Sequence, residues 1–479
     1  MNAWLRKIQS NNNFLSLANN GLVAVFSFLS FIMLVRMVPQ DTFGEWVLFL
    51  TAGGFLDMLR FGITRTAIIR FLAGAQHQEA KELIGSNNLI NFITTLLISI
   101  ILIFINLYFH NVVGNSGFGM FFTWYPLLAF ANLAFNNAQS ILQAQMRFDK
   151  MLWLRLINVG SFMLFLTANL FVGYPIQIIL IAYIVTNFAS SVVASIYNWD
   201  GIRYSFRFSS KANRLLINFG KYTTGTLIGS NLLKSSDAFI LGLSPFTSTV
   251  GVAIYSIPLK LTEIIEIPLR SFTATAFPNM SKAAIENDTD TVRSIFYQHA
   301  GGMTIFMLVL MVFSFIFAEP IVYILGGEDY IVGANIFRIF CIYGLLLPLD
   351  RYIGVALDSI NKPRQNFYKV IYMAGANIVG DSIMVFLVSR LILVFSWLVL
   401  FTNGMAPDTA YHLAHGFTMI KTLELVAAVT IGFTLVGIGI GYYYLNKELG
   451  LDKKTIFVEG FATARKIVRQ VLVPNRSSS

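Results

Sequence analysis

"LRFGITRTAIIRFLAG", residues 59–74, spaces Arg60, Arg65 and Arg70 five residues apart in an otherwise apolar stretch. A guanidinium in hydrocarbon costs at least about 2.5 kcal/mol on insertion scales. At 100° per residue, Arg60 and Arg70 fall about 80° apart and Arg65 turns roughly 140° from each, so the three share no narrow face. Asp57, three residues before Arg60, can neutralise it within one helical turn. Whether this helix belongs in water or in lipid is decided by what flanks it.

The flanks are membrane-like. The chain has 479 residues, 56% apolar and 12% charged, with a mean hydropathy of +0.67. Soluble domains carry about 25% charged residues, which excludes a soluble protein with a large core. Runs of the ~20 apolar residues that a spanning helix needs recur along the chain. Their pattern predicts twelve spans, at 14–36, 45–72, 87–109, 120–142, 152–173, 176–197, 215–243, 250–277, 300–318, 331–356, 367–390 and 418–445. The run 391–403 either extends the eleventh helix or lies at the outer interface. Phe14–Val35 is long enough to span and lacks a small-residue cleavage pattern, so no removable signal peptide is expected. Cys341 is the single cysteine and excludes an intrachain disulfide.

The formal charge of +10 is a topology signal. One set of alternate loops and ends holds Arg6, Lys7, Lys81, Arg147, Lys150, Arg155, Arg203, Arg207, Lys211, Arg214, Lys282, Arg293, Lys362, Arg364, Lys369 and the basic tail. The opposite loops, 110–119, 173–176, 244–250, 318–330 and 403–416, hold no Lys or Arg. Positive residues stay cytoplasmic, so both termini are expected inside, and no nucleic-acid surface is implied. The tail 447–479 alternates basic and apolar residues, as an amphipathic helix on the anionic inner leaflet or a solvated tail would.

The basic connection 201–214 separates an N-terminal six-helix lobe, 1–200, from a C-terminal one, 215–446. "MVPQDTFGEWVLF" and "LSPFTSTVGVAIY" each end one span and open the next, with Pro245 and Gly251 standing near Pro39 and Gly44. A charged, irregular helix follows each turn, expected to break at Gly53, Gly54 and Gly62 in the first half and at Pro258 and Pro268 in the second. The expected fold is therefore all-α and integral to the membrane: about twelve helices in two lobes related by an internal repeat, around a central hydrated cavity.

The order "VRMVPQDTFGEWVLF…FGITRTAIIRFLAG", "LLINFGKYTTGTLIGSNLLKSSDAFILG…TVGVAIYSIPLKL…AFPNMSKA", "ALDSINKPRQNFYKV" resembles the polysaccharide transporters of the multidrug/oligosaccharidyl-lipid/polysaccharide flippase superfamily. Within it the chain looks most like the O-antigen and capsule repeat-unit flippases. The resemblance covers nearly the whole chain and rests on the order of short motifs and the twelve-span count; the related lipid II flippases typically have fourteen. It implies a multi-pass protein of the bacterial inner membrane that flips polyprenyl-diphosphate-linked oligosaccharide for lipopolysaccharide or capsule synthesis. Its partners would be that substrate, membrane lipids and other polysaccharide assembly proteins.

The charges inside the spans are the candidate site, because a polar stripe facing lipid is costly. Asp57 and Arg60 lie near the midplane of the second span. Lys234 and Asp237 stand three apart in the seventh. Lys260, Glu263, Glu266 and Arg270 fall within about 120° on the eighth. Asp350, Arg351, Asp381, Lys421 and Glu424 follow in later spans. Arg60, Arg65, Lys234, Lys260 and Arg270 are the substrate-binding candidates, since guanidinium grips a diphosphate bidentately. Asp57, Asp237, Glu263 and Glu266 are candidates for charge pairing or for coupling to a proton or sodium ion. Trp46, Tyr222 and Tyr255 are candidates for stacking on sugars, and Asn19 and Asn20 for ion or head-group binding.

Signals for catalysis are poor. His412 and His415 in "YHLAH", with Asp408 nearby, lack the spacing of a metal site. There is no Gly-Lys-Ser/Thr phosphate loop. No enzyme activity, metal or cofactor is expected. Two further readings are a cation-coupled drug exporter, which would want a more acidic cavity, and a lipid II flippase of the same superfamily. A membrane polymerase or ligase would want a sizeable outer loop.

Overall fold

In hydrocarbon every backbone N–H and C=O has to be satisfied within its own segment, which leaves helices as the economical solution. The computed structural model is helical throughout, with no strand among the described residues. These are 12–114, 116–244 and 246–452, with 455–456, 458–460, 462 and 465 beyond them. The side chains of 12–20 and of Tyr222, Thr223, Gly225, Thr226, Ser230, Ile267, Pro268, Arg270, Ser271, Ala274 and Thr275 lie outside the description. The suggestions for Asn19, Asn20, Tyr222 and Arg270, and most of the tail, fall there.

Twelve long helical segments are seen among the described residues. They are α1 (Asn12–Met37), α2 (Gln40–Leu72), α3 (His77–Tyr108), α4 (Gly119–Ala131 and Leu133–Ala144), α5 (Phe148–Val172), α6 (Ile176–Ile196), α7 (Ser210–Gly242), α8 (Ser248–Ile285), α9 (Thr289–Ile316), α10 (Ala334–Ser359), α11 (Pro363–Thr402) and α12 (Pro407–Leu449). Nine helices among the described residues are long and apolar enough to cross a membrane. The stretch 391–417 resolves into the last turns of α11, a short turn, and the first turns of α12. At 40 residues, α11 is about 60 Å long, twice the ~30 Å of a hydrocarbon core.

The expected breaks in the second and eighth helices do not occur. α2 and α8 are continuous, through Gly53, Gly54 and Gly62 and through Pro258 and Pro268. Proline is tolerated in a membrane helix because neighbours re-satisfy the one carbonyl it frees. Two of the glycines serve close packing instead. A Cβ at Gly53 would stand 3.1 Å from the Tyr125 ring, and one at Gly62 3.3 Å from Thr224 Oγ1. Gly220 is tighter still, since a Cβ there would overlap the Ile63 carbonyl.

The real irregularities lie elsewhere. α4 bends at Asn132, between its two pieces. α5 and α11, the fifth helix of each half, each contain one π-helical turn, at Leu156–Gly160 and Met384–Val388. In each case the next residue is serine, and Ser161 and Ser389 donate to the Ile157 and Val385 carbonyls that the widened turn frees. This matched defect is a mark of internal duplication that no sequence motif displays.

The chain forms two compact units, Met1–Asn231 and Leu232–Ser479, with the division inside α7. In the first, Ala67, Ile68, Leu83, Ile84, Ile141 and Leu216 form one apolar cluster. Trp46 is buried and rings with Phe49, Phe162 and Tyr183, so it is core packing rather than a sugar platform. In the second unit, Gly380 admits Val429, and Gly441 admits Ile353 and Lys369, drawing α10, α11 and α12 together.

Candidate functional site

Two polar clusters are built inside these units, one in each. In the first unit Arg60 is fully buried at 0% exposure. Its Nη1 lies 2.7 Å from Asp57 Oδ1. Nε donates to Thr95 Oγ1 at 3.0 Å and Nη2 to the Ala129 carbonyl at 2.5 Å. Nη1 also reaches Tyr125 Oη at 3.3 Å and Asn132 Oδ1 at 3.4 Å. Asp57 in turn accepts from Tyr125 Oη at 2.7 Å and Asn132 Nδ2 at 3.1 Å. Each guanidinium nitrogen meets a protein acceptor, which satisfies the demand that a buried charge be paired and hydrogen-bonded. The bend of α4 at Asn132 is what brings that side chain to the ion pair.

Below this pair a ladder of buried amides runs along α3. Thr95 donates to the Asn91 carbonyl, Asn91 Nδ2 to Asn137 Oδ1 at 2.7 Å, and Asn88 Nδ2 to the Asp200 carbonyl at 2.9 Å. Arg65, one and a half turns beyond Arg60 on α2, is exposed and makes no ion pair among the described residues. Its charged neighbour is another cation, Arg155 of α5, whose Nε donates to Gln139 Oε1 at 3.1 Å. Arg155 was read from sequence only as a loop charge, and only folding shows that it lies beside Arg65.

In the second unit Asp237 is buried and accepts from Tyr255 Oη at 2.7 Å and from Asn377 Nδ2 at 2.8 Å. Asn377 Nδ2 also reaches Ser236 Oγ at 2.8 Å. Tyr255 is thus a buried ligand of a carboxylate and not an exposed stacking ring. Asp381, one turn from Asn377 on α11, is fully buried and stands against Asp237. Neither carboxyl oxygen of Asp381 nor Asn377 Oδ1 has a donor among the described residues. Thr430 of α12, beside Tyr255, adds a further buried oxygen.

Four further ion pairs lie inside the spans among the described residues. Lys260 Nζ lies 2.7 Å from Glu263 Oε2, both partly open to solvent. The buried Glu266 pairs with Arg351 at 3.2 Å, Lys369 with Asp350 at 2.6 Å, and Lys421 with Glu424 at 2.6 Å. Lys234 is exposed. The stripe of the eighth helix therefore divides, with Lys260 and Glu263 serving each other and Glu266 serving α10. Thr95, Tyr125, Asn132 and Asn377 were not among the candidate site residues, and Asp381 was noted only as a charge in the eleventh span; an acidic residue one turn from an amide on α11 was the visible signal for Asn377.

A multi-pass helical bundle with charges gathered inside each unit is the plan of a membrane transporter. Residues 33–334 match the polysaccharide biosynthesis protein family, and the chain belongs to it. It is 24% identical over 425 residues to the probable low-salt glycan biosynthesis flippase Agl15 of Haloferax volcanii, covering 87% of this chain and 83% of that one. Among solved structures, the lipid II flippase MurJ in an inward closed conformation has a TM-score of 0.68 at 12% identity, over 97% of this chain and 93% of that one. An inward-facing multidrug resistance MATE family transporter of the MOP superfamily has a TM-score of 0.66 at 14% identity, over 89% and 96%. The chain is thus a member of the polysaccharide biosynthesis protein family with the fold these structures share.

Proposed function

We propose that the protein moves polyprenyl-diphosphate-linked oligosaccharide across the bacterial inner membrane by alternating access, with both termini in the cytoplasm, for synthesis of O-antigen or capsule. The observation that carries this reading is the near end-to-end likeness to a glycan biosynthesis flippase. The juxtaposed guanidinium groups of Arg65 and Arg155 support it. A diphosphate offers each of two neighbouring guanidinium groups a bidentate face. In this assignment Arg65 and Arg155 grip the head group, with Lys234, Lys260 and Arg270 as further cations along the path. Arg60, saturated by protein acceptors, holds the first unit together.

Coupling belongs to Asp237 and Asp381. Two buried carboxyls in contact cannot both stay charged without a proton or a cation between them. The donor-free oxygens of Asp381 and Asn377 suit a small hard cation, which oxygen ligands select. Binding there would tie one conformation of the second unit to the ion gradient. The test is deletion of the gene in its host. Lipid-linked repeat units should accumulate on the cytoplasmic face while surface glycan disappears. Unchanged surface glycan, or repeat units accumulating on the outer face, would overturn the assignment.

A further inference from the structure

The connection between α6 and α7 carries a feature that translocation does not use. Ile202–Tyr204 forms a single tight turn, and the chain then crosses the cytoplasmic end of α3. It lies so close there that a Cβ at Gly85 would stand 2.6 Å from the Arg207 carbonyl. Asn88 Nδ2 holds it by the Asp200 carbonyl at 2.9 Å and Ser205 Oγ at 3.3 Å, and Ser209 N donates to Ser86 Oγ at 3.3 Å. Leu89 to Tyr108, the apolar remainder of α3, is about 30 Å long, the thickness of a hydrocarbon core. The connection is therefore pinned at the edge of that core.

At this level Phe206 is 93% exposed, flanked by the exposed Ile202 and Phe208. Arg203, Arg207, Lys211 and Arg214 are all exposed on the same short segment, and none makes an ion pair among the described residues. The segment's single carboxylate, Asp200, is buried and bonded to Ser195 Oγ at 2.6 Å and to the Ile202 amide at 3.0 Å. The nearest acidic residues of α3, Glu79 and Glu82, precede Gly85 by one to two turns and make no ion pair among the described residues.

An aromatic ring left in the open, among unneutralised cations, at the depth of the head groups has the chemistry of an anionic lipid site. We propose that the connection binds an anionic phospholipid of the inner leaflet, with Phe206 set among the acyl carbons and Arg203 and Arg207 on the phosphate.

The test uses the full chain with Phe206→Trp, compared with wild type because six native tryptophans contribute background. Both are placed in nanodiscs of phosphatidylcholine containing either brominated phosphatidylglycerol or brominated phosphatidylcholine. The added indole should emit blue-shifted and be quenched at several-fold lower mole fraction by the glycerol lipid. Each basic residue at such a surface is worth about fivefold in association. Adding Arg203→Gln and Arg207→Gln should therefore abolish the preference while quenching by the choline lipid persists. Equal quenching by both lipids in the singly substituted chain would overturn the proposal. So would an indole that acrylamide reaches freely and brominated lipid does not, the result expected of a docking surface for a soluble partner. All three substituted positions are exposed, and a thermal unfolding midpoint equal to wild type verifies the fold.

Discussion

Replacing Arg60 by Met separates a structural guanidinium from a ligand-binding one. The side chain is wholly buried, its counter-ion is 2.7 Å away, and each of its three nitrogens has a protein acceptor. Removing one member of such a pair strands the other, at a cost of about 3–5 kcal/mol. Asp57 would retain Tyr125 and Asn132 as donors, which puts the expected loss at the lower end, about 3 kcal/mol. Changing Asp57 to Asn at the same time removes the stranded charge, and the pair should then recover about 1–3 kcal/mol relative to the sum of the single changes. The assay is reversible unfolding of the purified protein in mixed micelles for the four members of the cycle, with flipping of a labelled lipid-linked sugar measured on the same preparations. A substrate contact would show itself differently: Arg60→Met would unfold like wild type but fail to transport. Wild-type stability, or a double variant no better than the sum of the singles, would refute the structural role.

Arg65→Gln and Arg155→Gln should each weaken binding of a polyprenyl diphosphate tenfold or more with unfolding unchanged, since charge-assisted hydrogen bonds are worth about 1.5–3 kcal/mol; calorimetry showing unaltered affinity would remove the pair from the head-group site. Asp381→Asn should abolish the response of transport to imposed proton and sodium gradients without lowering stability, whereas Glu263→Gln, whose carboxylate is exposed and committed to Lys260, should keep it. Proteoliposome flux with the two effects exchanged would return coupling to the eighth helix. Reporter fusions after Gly114, Pro245 and Glu328 should register the outer side and those after Lys211 and Lys362 the cytoplasm, and one reversed pair would mean a miscounted span.

The number and placement of the twelve helices were legible because the bilayer imposes a length and an apolarity that each segment must show on its own. The three-residue spacing of Asp57 and Arg60 was legible for a related reason: neighbours on one helical turn meet whatever the rest of the chain does. Breaks were misplaced, since glycine and proline in a lipid-embedded helix report where another element approaches, and that element lies far away in sequence. Gly53 exists for Tyr125 and Gly220 for Ile63. The actual irregularities, the bend at Asn132 and the π turns of α5 and α11, do not fall where the glycines and prolines of α2 and α8 were expected to place them.

The site divides along the same line. Charges in membrane spans single out α2, α7 and α8 as candidate site elements from the sequence, because hydrocarbon tolerates a charge only where the fold compensates it. Which charges compensate each other was decided by tertiary structure alone. Asp237 meets Asp381 across more than a hundred residues, Glu266 meets Arg351, and Arg65 acquires Arg155 as a charged neighbour. The partners lie on different helices, and the rotation of each helix about its axis is set by the packing of all its faces together, a quantity that no local stretch of sequence contains.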